Sequence, residues 1–173
     1  MMALMSGDVE PVSPRLTVRA LLPQDGEAAA MWRYRGPWSA YDPRPGDELI
    51  SAAAGYHAVV DDAGSLVGFV CLGSQARVPG LAEEAGTVDI GVGMRPDLVG
   101  RGLGRAFGLA VLGHVRGLAP DQPLRAVVQS WNERSLRLAR RLGFRDAGTH
   151  RCAQAGHEVT YTVLVRPAAD TGA

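Results

Sequence analysis

The clearest alternation of apolar and polar positions runs over residues 88–94. Its apolar members share one face of the predicted strand: Val88, Ile90, Val92 and Met94. Asp89 and two glycines fall on the opposite face, and this period of two is typical of a half-buried strand. A proline turn, the glycine-rich segment 99–104 and an apolar stretch follow directly, which predicts a turn, a loop and then a helix.

The rest of the chain predicts further strands and helices in a regular order. Strands are expected over residues 16–21, 56–60, 66–71, 124–129, 144–150 and 157–165, and helices over 23–34 and 133–142. The polar residues 61–65 have the composition of a hairpin turn. The order is therefore strand, helix, hairpin, strand, helix, strand, helix and hairpin, in one domain large enough for a proper core.

The glycines of segment 99–104 lie where a helix is about to begin, and they keep side chains away from several free backbone N–H groups. Such a helix start binds anions, so the segment predicts a site for a phosphorylated cofactor. The dinucleotide fingerprint fails because Phe107 stands where its last glycine is needed, and a P-loop fails because the chain has no lysine. With 22 glycines in 173 residues, a chance G-x-G remains open until a second motif is found.

Segment 99–104 reads VGRGLG and resembles motif A of the GCN5-related N-acetyltransferases (GNAT), [Q/R]-x-x-G-x-[G/A], with Val99 in place of the usual Gln or Arg. A second stretch, residues 132–144, reads NERSLRLARRLGF and resembles motif B of the same family. There Asn132 opens the helix and Gly143 closes it, which are positions that asparagine and glycine also favour for structural reasons. The two motifs stand at the spacing that the family has.

The resemblance implies an α/β (α+β) GNAT fold over residues 15–167. A mixed, mostly antiparallel sheet of six to seven strands is splayed between the motif A and motif B strands, with helices on both faces. Residues 1–14 and 168–173 are expected to be flexible ends. The expected ligand is acetyl-CoA, or another acyl-CoA, as co-substrate. The residues expected to bind it are Val92, Gly93, Met94, Val99, Gly100, Arg101, Gly102, Leu103, Gly104, Arg105 and Asn132.

The implied reaction is transfer of an acetyl group to a primary amine by direct attack in a ternary complex. Asp89 is the expected general base, with Glu84 as a second acidic candidate, although Asp89 could instead pair with an arginine. Ala139 occupies the position where many relatives have a tyrosine acid. Ser135 is the candidate substitute, because N-x-x-S resembles the branch that acetylates protein N-termini; a small helix residue without a catalytic part is the alternative.

Aromatic and acidic residues are the candidates for the acceptor site. The residues expected to bind the acceptor are Trp38, Tyr41, Glu83 and Trp131, because aromatic rings frame amines by cation–π contacts and a carboxylate attracts them. Packing of the aromatic loop onto the core is the alternative. The acceptor itself stays open between a small metabolite amine, an antibiotic, an amino acid and a peptide or protein N-terminus.

Charge and composition narrow the other classes. The net charge is zero, which favours neither nucleic acid nor membrane as a partner, and all 18 basic residues are arginine, which excludes mechanisms that need a catalytic lysine. A basic run on the motif B helix is either a solvated face or a contact for the cofactor's 3′-phosphate: Arg134, Arg137, Arg140, Arg141 and Arg145. Four scattered histidines and two cysteines predict neither a metal site nor a disulfide framework.

The chain has no apolar run long enough for a membrane span and no visible signal peptide, so a cytoplasmic monomer or homodimer is expected. A second hypothesis stands beside the enzyme. Because Val99 and Ala139 depart from the family pattern, the chain could be an acyl-CoA-binding module of GNAT type with little or no activity and a regulatory role.

Overall fold

The computed structural model describes residues 15–44, 50–154 and 156–168. Seven strands are present there: β1 (Thr17–Ala20), β2 (Tyr56–Val60), β3 (Leu66–Leu72), β4 (Val88–Met94), β5 (Leu124–Gln129), β6 (Arg145–Gln154) and β7 (His157–Arg166). Three helices accompany them: α1 (Pro23–Ala30), α2 (Gly104–Leu118) and α3 (Glu133–Arg141). Of the predicted flexible ends, 1–14 and 168–173, all but residue 168 lie outside the described residues.

All seven strands form one sheet in the order β1-β2-β3-β4-β5-β7-β6. Every neighbouring pair is antiparallel except β4 and β5, which run parallel. These two strands pair only at Val88 with Leu124 and at Asp89 with Arg125, and beyond that point they separate. We call the opening between residues 90–94 and residues 126–129 the strand gap. The mixed, splayed sheet that the resemblance implies is confirmed.

Helices cover both faces of the sheet. On one face, α2 places Phe107, Val111 and Val115 at helical spacing into a buried cluster with the central strands. On the other face a smaller cluster lies around Leu21, Ala58 and Val60, at the turn from β1 into α1. Alternation along each strand separates the two clusters, since neighbouring side chains of a strand point to opposite faces.

Helix α1 is shorter than the sequence predicts. It ends at Ala30 rather than near Tyr34, because the N–H groups of Met31 and Trp32 bond three residues back and tighten the last turn. A 3-10 segment, Gly36–Tyr41, begins where glycine has φ +62° and a proline follows. The last hairpin differs in the other direction, since β6 continues to Gln154 instead of ending near residue 150.

Close approach of α2 to β3 depends on Gly68. A Cβ at this position would overlap the backbone carbonyl of Gly93 and would come within 2.5 Å of the Phe107 ring. We expect Gly68→Ala to lower the free energy of unfolding by about 1–3 kcal/mol, because the ring and the backbone must both shift. Urea unfolding followed by circular dichroism measures this change.

Gly113→Ala is the matched control, since a Cβ on this α2 residue meets nothing within 4 Å. It should stabilise the protein by about 0.5–1 kcal/mol through helix propensity alone. Equal effects of the two substitutions would contradict the packing described for β3 and α2.

Candidate functional site

The register of β3 and β4 determines which backbone groups of β4 face the strand gap. The N–H of Arg95 donates to the carbonyl of Val67, and Gly93 pairs with Phe69 two residues earlier. Hydrogen-bonded pairs alternate along antiparallel strands, so Gly93 turns its backbone groups toward β3, whereas Val92 and Met94 turn theirs toward the gap. Of the three β4 residues predicted to bind cofactor, Gly93 therefore has no amide free for a ligand, and its lack of a side chain makes room for the Phe69 ring.

Val92 departs from the predicted apolar face, because 56% of its surface is exposed. It lies beside the gap, where β5 no longer covers β4. The carbonyl of Met94 accepts a hydrogen bond of 2.8 Å from the Tyr34 hydroxyl. Burial raises the pKa of Tyr34 to about 12, so this hydroxyl keeps its proton at neutral pH. Main-chain groups of β4 therefore line this side of the strand gap, and one of them, the carbonyl of Met94, already accepts a hydrogen bond from Tyr34.

The glycine-rich loop leads into α2 without a side-chain cap. Gly100 and Gly102 both have φ +83°, a conformation that residues with a Cβ rarely adopt, and both are exposed. Leu103 stands at the N-cap and makes no capping bond, so the first N–H groups of α2 keep free donors. Arg101 is exposed in the loop and Arg105 on the first helical turn. This loop fits a phosphate group, since it offers backbone donors and a helix dipole with no side chain in the way.

Asn132 caps α3 and reaches across to the 3-10 segment. Its Oδ1 accepts the N–H of Ser135 at 3.2 Å, and its Nδ2 donates to the Tyr41 hydroxyl at 3.1 Å. The amide is buried, so both bonds are made away from bulk water. The predicted N-cap is confirmed, and the helix ends as predicted too, because the N–H groups of Gly143 and Phe144 bond back to Arg140 and Ala139.

Asp89 lies in a buried ion cluster rather than free in a cleft. Arg125 contacts both of its carboxylate oxygens, at 2.6 and 3.1 Å, and Arg77 adds a contact of 3.0 Å. Asp89 and Arg125 are also the last cross-strand partners before β4 and β5 separate. Hydrogen bonds to Asp89 raise the pKa of Arg125 above its ordinary value, against the effect of desolvation. The pairing with arginine that the sequence left open is the arrangement found.

The two glutamates predicted for the acceptor site lie at the edge of this cluster. Glu84 contacts Arg125 at 3.2 Å and Glu83 contacts Arg77 at 3.5 Å. Both side chains are mostly exposed, and neither lines the cavity described next. They balance the arginines that hold Asp89, and their place differs from the expected acceptor wall.

A cavity of about 440 Å³ opens on the sheet face opposite α2, beside the strand gap. Its aromatic lining consists of Trp32, Tyr34, Tyr41, Tyr56, Phe69 and Tyr161. Its polar lining consists of Asp42, Arg44, Gln75, Arg77, Gln129 and Gln154. The volume and the mixture of apolar walls with a few polar groups are typical of a small-molecule site.

The residues predicted to bind the acceptor divide between this cavity and its rim. Tyr41 lines the cavity, and burial raises the pKa of its hydroxyl. Trp38 and Trp131 do not line it but pack edge to face, with ring centroids 5.9 Å apart. Arg134 lies over the Trp38 ring, 4.4 Å from its centroid. These two indoles therefore join the 3-10 segment to the start of α3.

Sequence reasoning missed most of the cavity wall. Phe69 and Tyr161 belong to strands that the sequence predicts. The face of the sheet on which each ring falls depends on the register of these strands, which the sequence does not fix. Arg125 could have been found: it is a charge inside an apolar strand, as Asp89 is, and two opposite charges in neighbouring strands predict a pair.

Two further findings concern metal binding and membrane-spanning helices. The described ranges contain no cluster of three or more His, Cys, Asp and Glu side chains that could hold a metal ion. Within the same ranges, no helix has both the length and the hydropathy of a membrane span.

The chain belongs to the GNAT acetyltransferases, because the family model described as an acetyltransferase (GNAT) domain matches residues 15–145. It is accordingly an enzyme of the N-acetyltransferase class, in a family that uses acyl-CoA as its acyl donor. No curated protein matches the sequence significantly.

Solved structures of this class have the same fold at low identity. A candidate phosphinothricin N-acetyltransferase is 19% identical with a TM-score of 0.69, over 90% of this chain and 99% of that one. A spermidine N-acetyltransferase chimera of Vibrio cholerae and human sequences is 17% identical with a TM-score of 0.66, over 88% and 95%. A candidate acetyltransferase from Salmonella typhimurium, solved with its cofactor acetyl-CoA, is 20% identical with a TM-score of 0.57, over 92% and 98%.

The ion cluster leads to a prediction about stability. We expect Asp89→Asn to lower the free energy of unfolding by about 3–5 kcal/mol, because it removes the buried carboxylate and leaves the buried Arg125 with only the mostly exposed Glu84 as counter-charge. Denaturant unfolding at pH 7 measures the change. Arg140→Gln is the control, since it breaks an exposed pair with Asp146 and should leave the free energy of unfolding almost unchanged. A loss of less than 1 kcal/mol for Asp89→Asn would contradict the anchoring role.

Proposed function

We propose that the protein transfers an acetyl group from acetyl-CoA to the amine of a small molecule, by direct attack in a ternary complex. One observation carries the proposal: the strand gap and the uncapped start of α2 lie on the same strand–loop–helix unit, and the acceptor cavity opens beside them. An extended ligand along this unit would meet main-chain donors of β4 first and the phosphate-binding loop second.

The residues present fit an acyl-CoA cofactor. Val92 and Met94 would bind the pantetheine arm through their gap-facing N–H groups. Residues 99–105 would hold the pyrophosphate through main-chain N–H groups, with Arg101 and Arg105 beside them. Asn132 keeps a second N–H on Nδ2 that points to no other described acceptor and would bind the arm from the α3 side. Bound acetyl-CoA supplies an activated acyl group.

The chain's own groups would then orient the amine and accept its proton. The N–H groups of β4 in the gap are suited to stabilise negative charge that develops on a thioester oxygen. Asp89 fits the role of anchor better than that of base, because guanidinium groups occupy both oxygens and the residue does not line the cavity. We therefore assign removal of the amine proton to water in the cavity. Ser135 stays the proposed donor to the departing thiolate, and Glu84 acts by pairing with Arg125.

The cavity supports a compact amine with an apolar part as acceptor. Its aromatic walls favour a cationic or apolar group, and its volume suits a small molecule rather than a folded protein. Asp42 is the single carboxylate among its described lining residues, whereas Arg44 and Arg77 both reach it. A polyamine would find little charge compensation among these residues. The second hypothesis, an acyl-CoA-binding module without activity, predicts the same cofactor site but no turnover of any amine.

The acceptor proposal is tested by mixing the protein with acetyl-CoA and a panel of amines and following release of the free thiol. The panel contains an aromatic monoamine, an amino acid, spermidine and a short peptide. We expect the first two to give turnover and spermidine to give least. Val127→Phe, which narrows the cavity from β5 at the edge of the strand gap, should raise KM for the amine more than Kd for acetyl-CoA. If the protein binds acetyl-CoA but no amine of a broad panel causes release of the thiol, that result favours the non-catalytic module.

Cofactor binding is tested by thermal unfolding. Acetyl-CoA at 100 times its Kd should add about 2.7 kcal/mol to the stability of the native state. Gly102→Val should abolish this shift, because a branched side chain blocks approach to the loop. Gly64→Val is the control: Gly64 also has positive φ and open space around it, but it lies in the β2–β3 turn, so this variant should bear similar strain and keep the shift. Normal binding by Gly102→Val would show that the loop is not the phosphate site.

A further inference from the structure

We propose that Arg134 binds the pyrophosphate of the cofactor and takes the place of the side chain that Val99 does not supply. The inference rests on the proposed function, because it assumes that the glycine-rich loop holds these phosphates. Arg134 belongs to α3, outside the glycine-rich loop, and the fold places its side chain beside that loop.

The guanidinium of Arg134 stands beside the loop. Its Nη1 lies 3.8 Å from the position that a Cβ on Gly100 would occupy, and no other described atom comes within 4 Å of that position. Gly100 is exposed and has φ +83°, so its main chain faces outward with no side chain of its own. Apart from the chain neighbours of Gly100, Arg134 is thus the side chain that approaches the missing Cβ position, where it could reach a phosphate held by the loop.

Trp38 holds the guanidinium in this place. The Cζ of Arg134 lies 4.4 Å from the Trp38 ring centroid, and Trp38 in turn packs edge to face on Trp131. The Trp38 Nε1 is buried and has no hydrogen-bond partner among the described residues. Ring packing and the cation, rather than a hydrogen bond, therefore position this indole, and the cation–π contact limits the rotamers of an otherwise exposed arginine.

Arg134 also carries a charge that no acidic side chain neutralises. It pairs with no carboxylate within the described ranges, whereas Arg95 contacts Asp97 and Arg140 contacts Asp146. Hydrogen bonds from Arg95, and to a lesser degree the charge of Arg101, lower the pKa of Asp97, so part of the loop's own positive charge faces that carboxylate. Arg101 also makes no ion pair among the described residues, so Arg134 is the unpaired cation beside Gly100 that comes from outside the loop.

The chemistry matches a diphosphate. A guanidinium donates two parallel N–H groups to phosphate oxygens, and such charge-assisted bonds are stronger than bonds between neutral groups. Main-chain N–H groups of the loop bind one side of the diphosphate without adding charge. Arg134 would bind the other side and offset its negative charge, which is what a Gln or Arg at position 99 would do only in part.

The test measures dissociation constants by isothermal titration calorimetry for three probes: acetyl-CoA, its form lacking the 3′-phosphate, and S-acetylpantetheine, which has no phosphate. We expect Arg134→Gln to weaken binding of the first two by about tenfold or more and to leave the third unchanged. Trp38→Leu should cause a smaller loss with the same pattern. Adding Val99→Arg to Arg134→Gln should restore much of the affinity, because it returns a cation to the loop.

Arg116→Gln is the matched control, since it removes the same charge at the far, C-terminal end of α2 and should bind all three probes normally. Unchanged binding of acetyl-CoA by Arg134→Gln overturns the inference, as does an equal loss for S-acetylpantetheine, which would indicate a structural defect. A loss confined to acetyl-CoA places Arg134 on the 3′-phosphate and also overturns it. If the wild-type protein binds no acetyl-CoA, the proposed function itself fails, and that result is distinct from the others.

Discussion

Asp89 and Arg125 face each other at the last paired step of β4 and β5, and they join the two strands by two hydrogen bonds as well as by charge. Two strands that separate leave unpaired main-chain groups on both edges, and such groups are costly unless something defines where the separation begins. The ion pair defines it. Arg77, Glu83 and Glu84 surround the pair and keep its charges balanced, so the sheet opens at one fixed residue.

The strand gap lies between the main-chain edge of β4, the aromatic cavity and the 3-10 segment. On the β4 side it presents main-chain groups to a ligand, and on the opposite sheet face it adjoins the aromatic cavity. The 3-10 segment Gly36–Tyr41 connects the two regions, because Tyr41 lines the cavity and bonds Asn132 while Trp38 contacts Arg134. The proposed cofactor and acceptor sites are therefore linked by four side chains, Trp38 and Tyr41 of the 3-10 segment and Asn132 and Arg134 at the start of α3.

The order of elements could be predicted from the sequence, because each strand has its own alternation and each motif helix begins and ends with recognisable residues such as Asn132 and Gly143. The length of α1 could not, since the burial of Trp32 against Phe69 is a tertiary contact. The glycine-rich loop was readable because positive φ needs glycine. The surroundings of Asp89 could be predicted only in part, because Arg125 is a charge inside the neighbouring strand, whereas Arg77 lies outside the strands and helices and its path is not fixed by the sequence.

The edge of β4 has a consequence for how this protein diverges. Recognition by main-chain N–H and C=O groups places few demands on side-chain identity, so Val92 and Met94 can change while the same groups stay in place. Substitutions can then accumulate across the sheet as long as the strand separation is kept. Solved structures share the fold with this chain at 17–20% identity. Selection in such a protein would act on the course of the backbone at the strand separation. The residues that line the cavity could then change and alter the specificity for the acceptor.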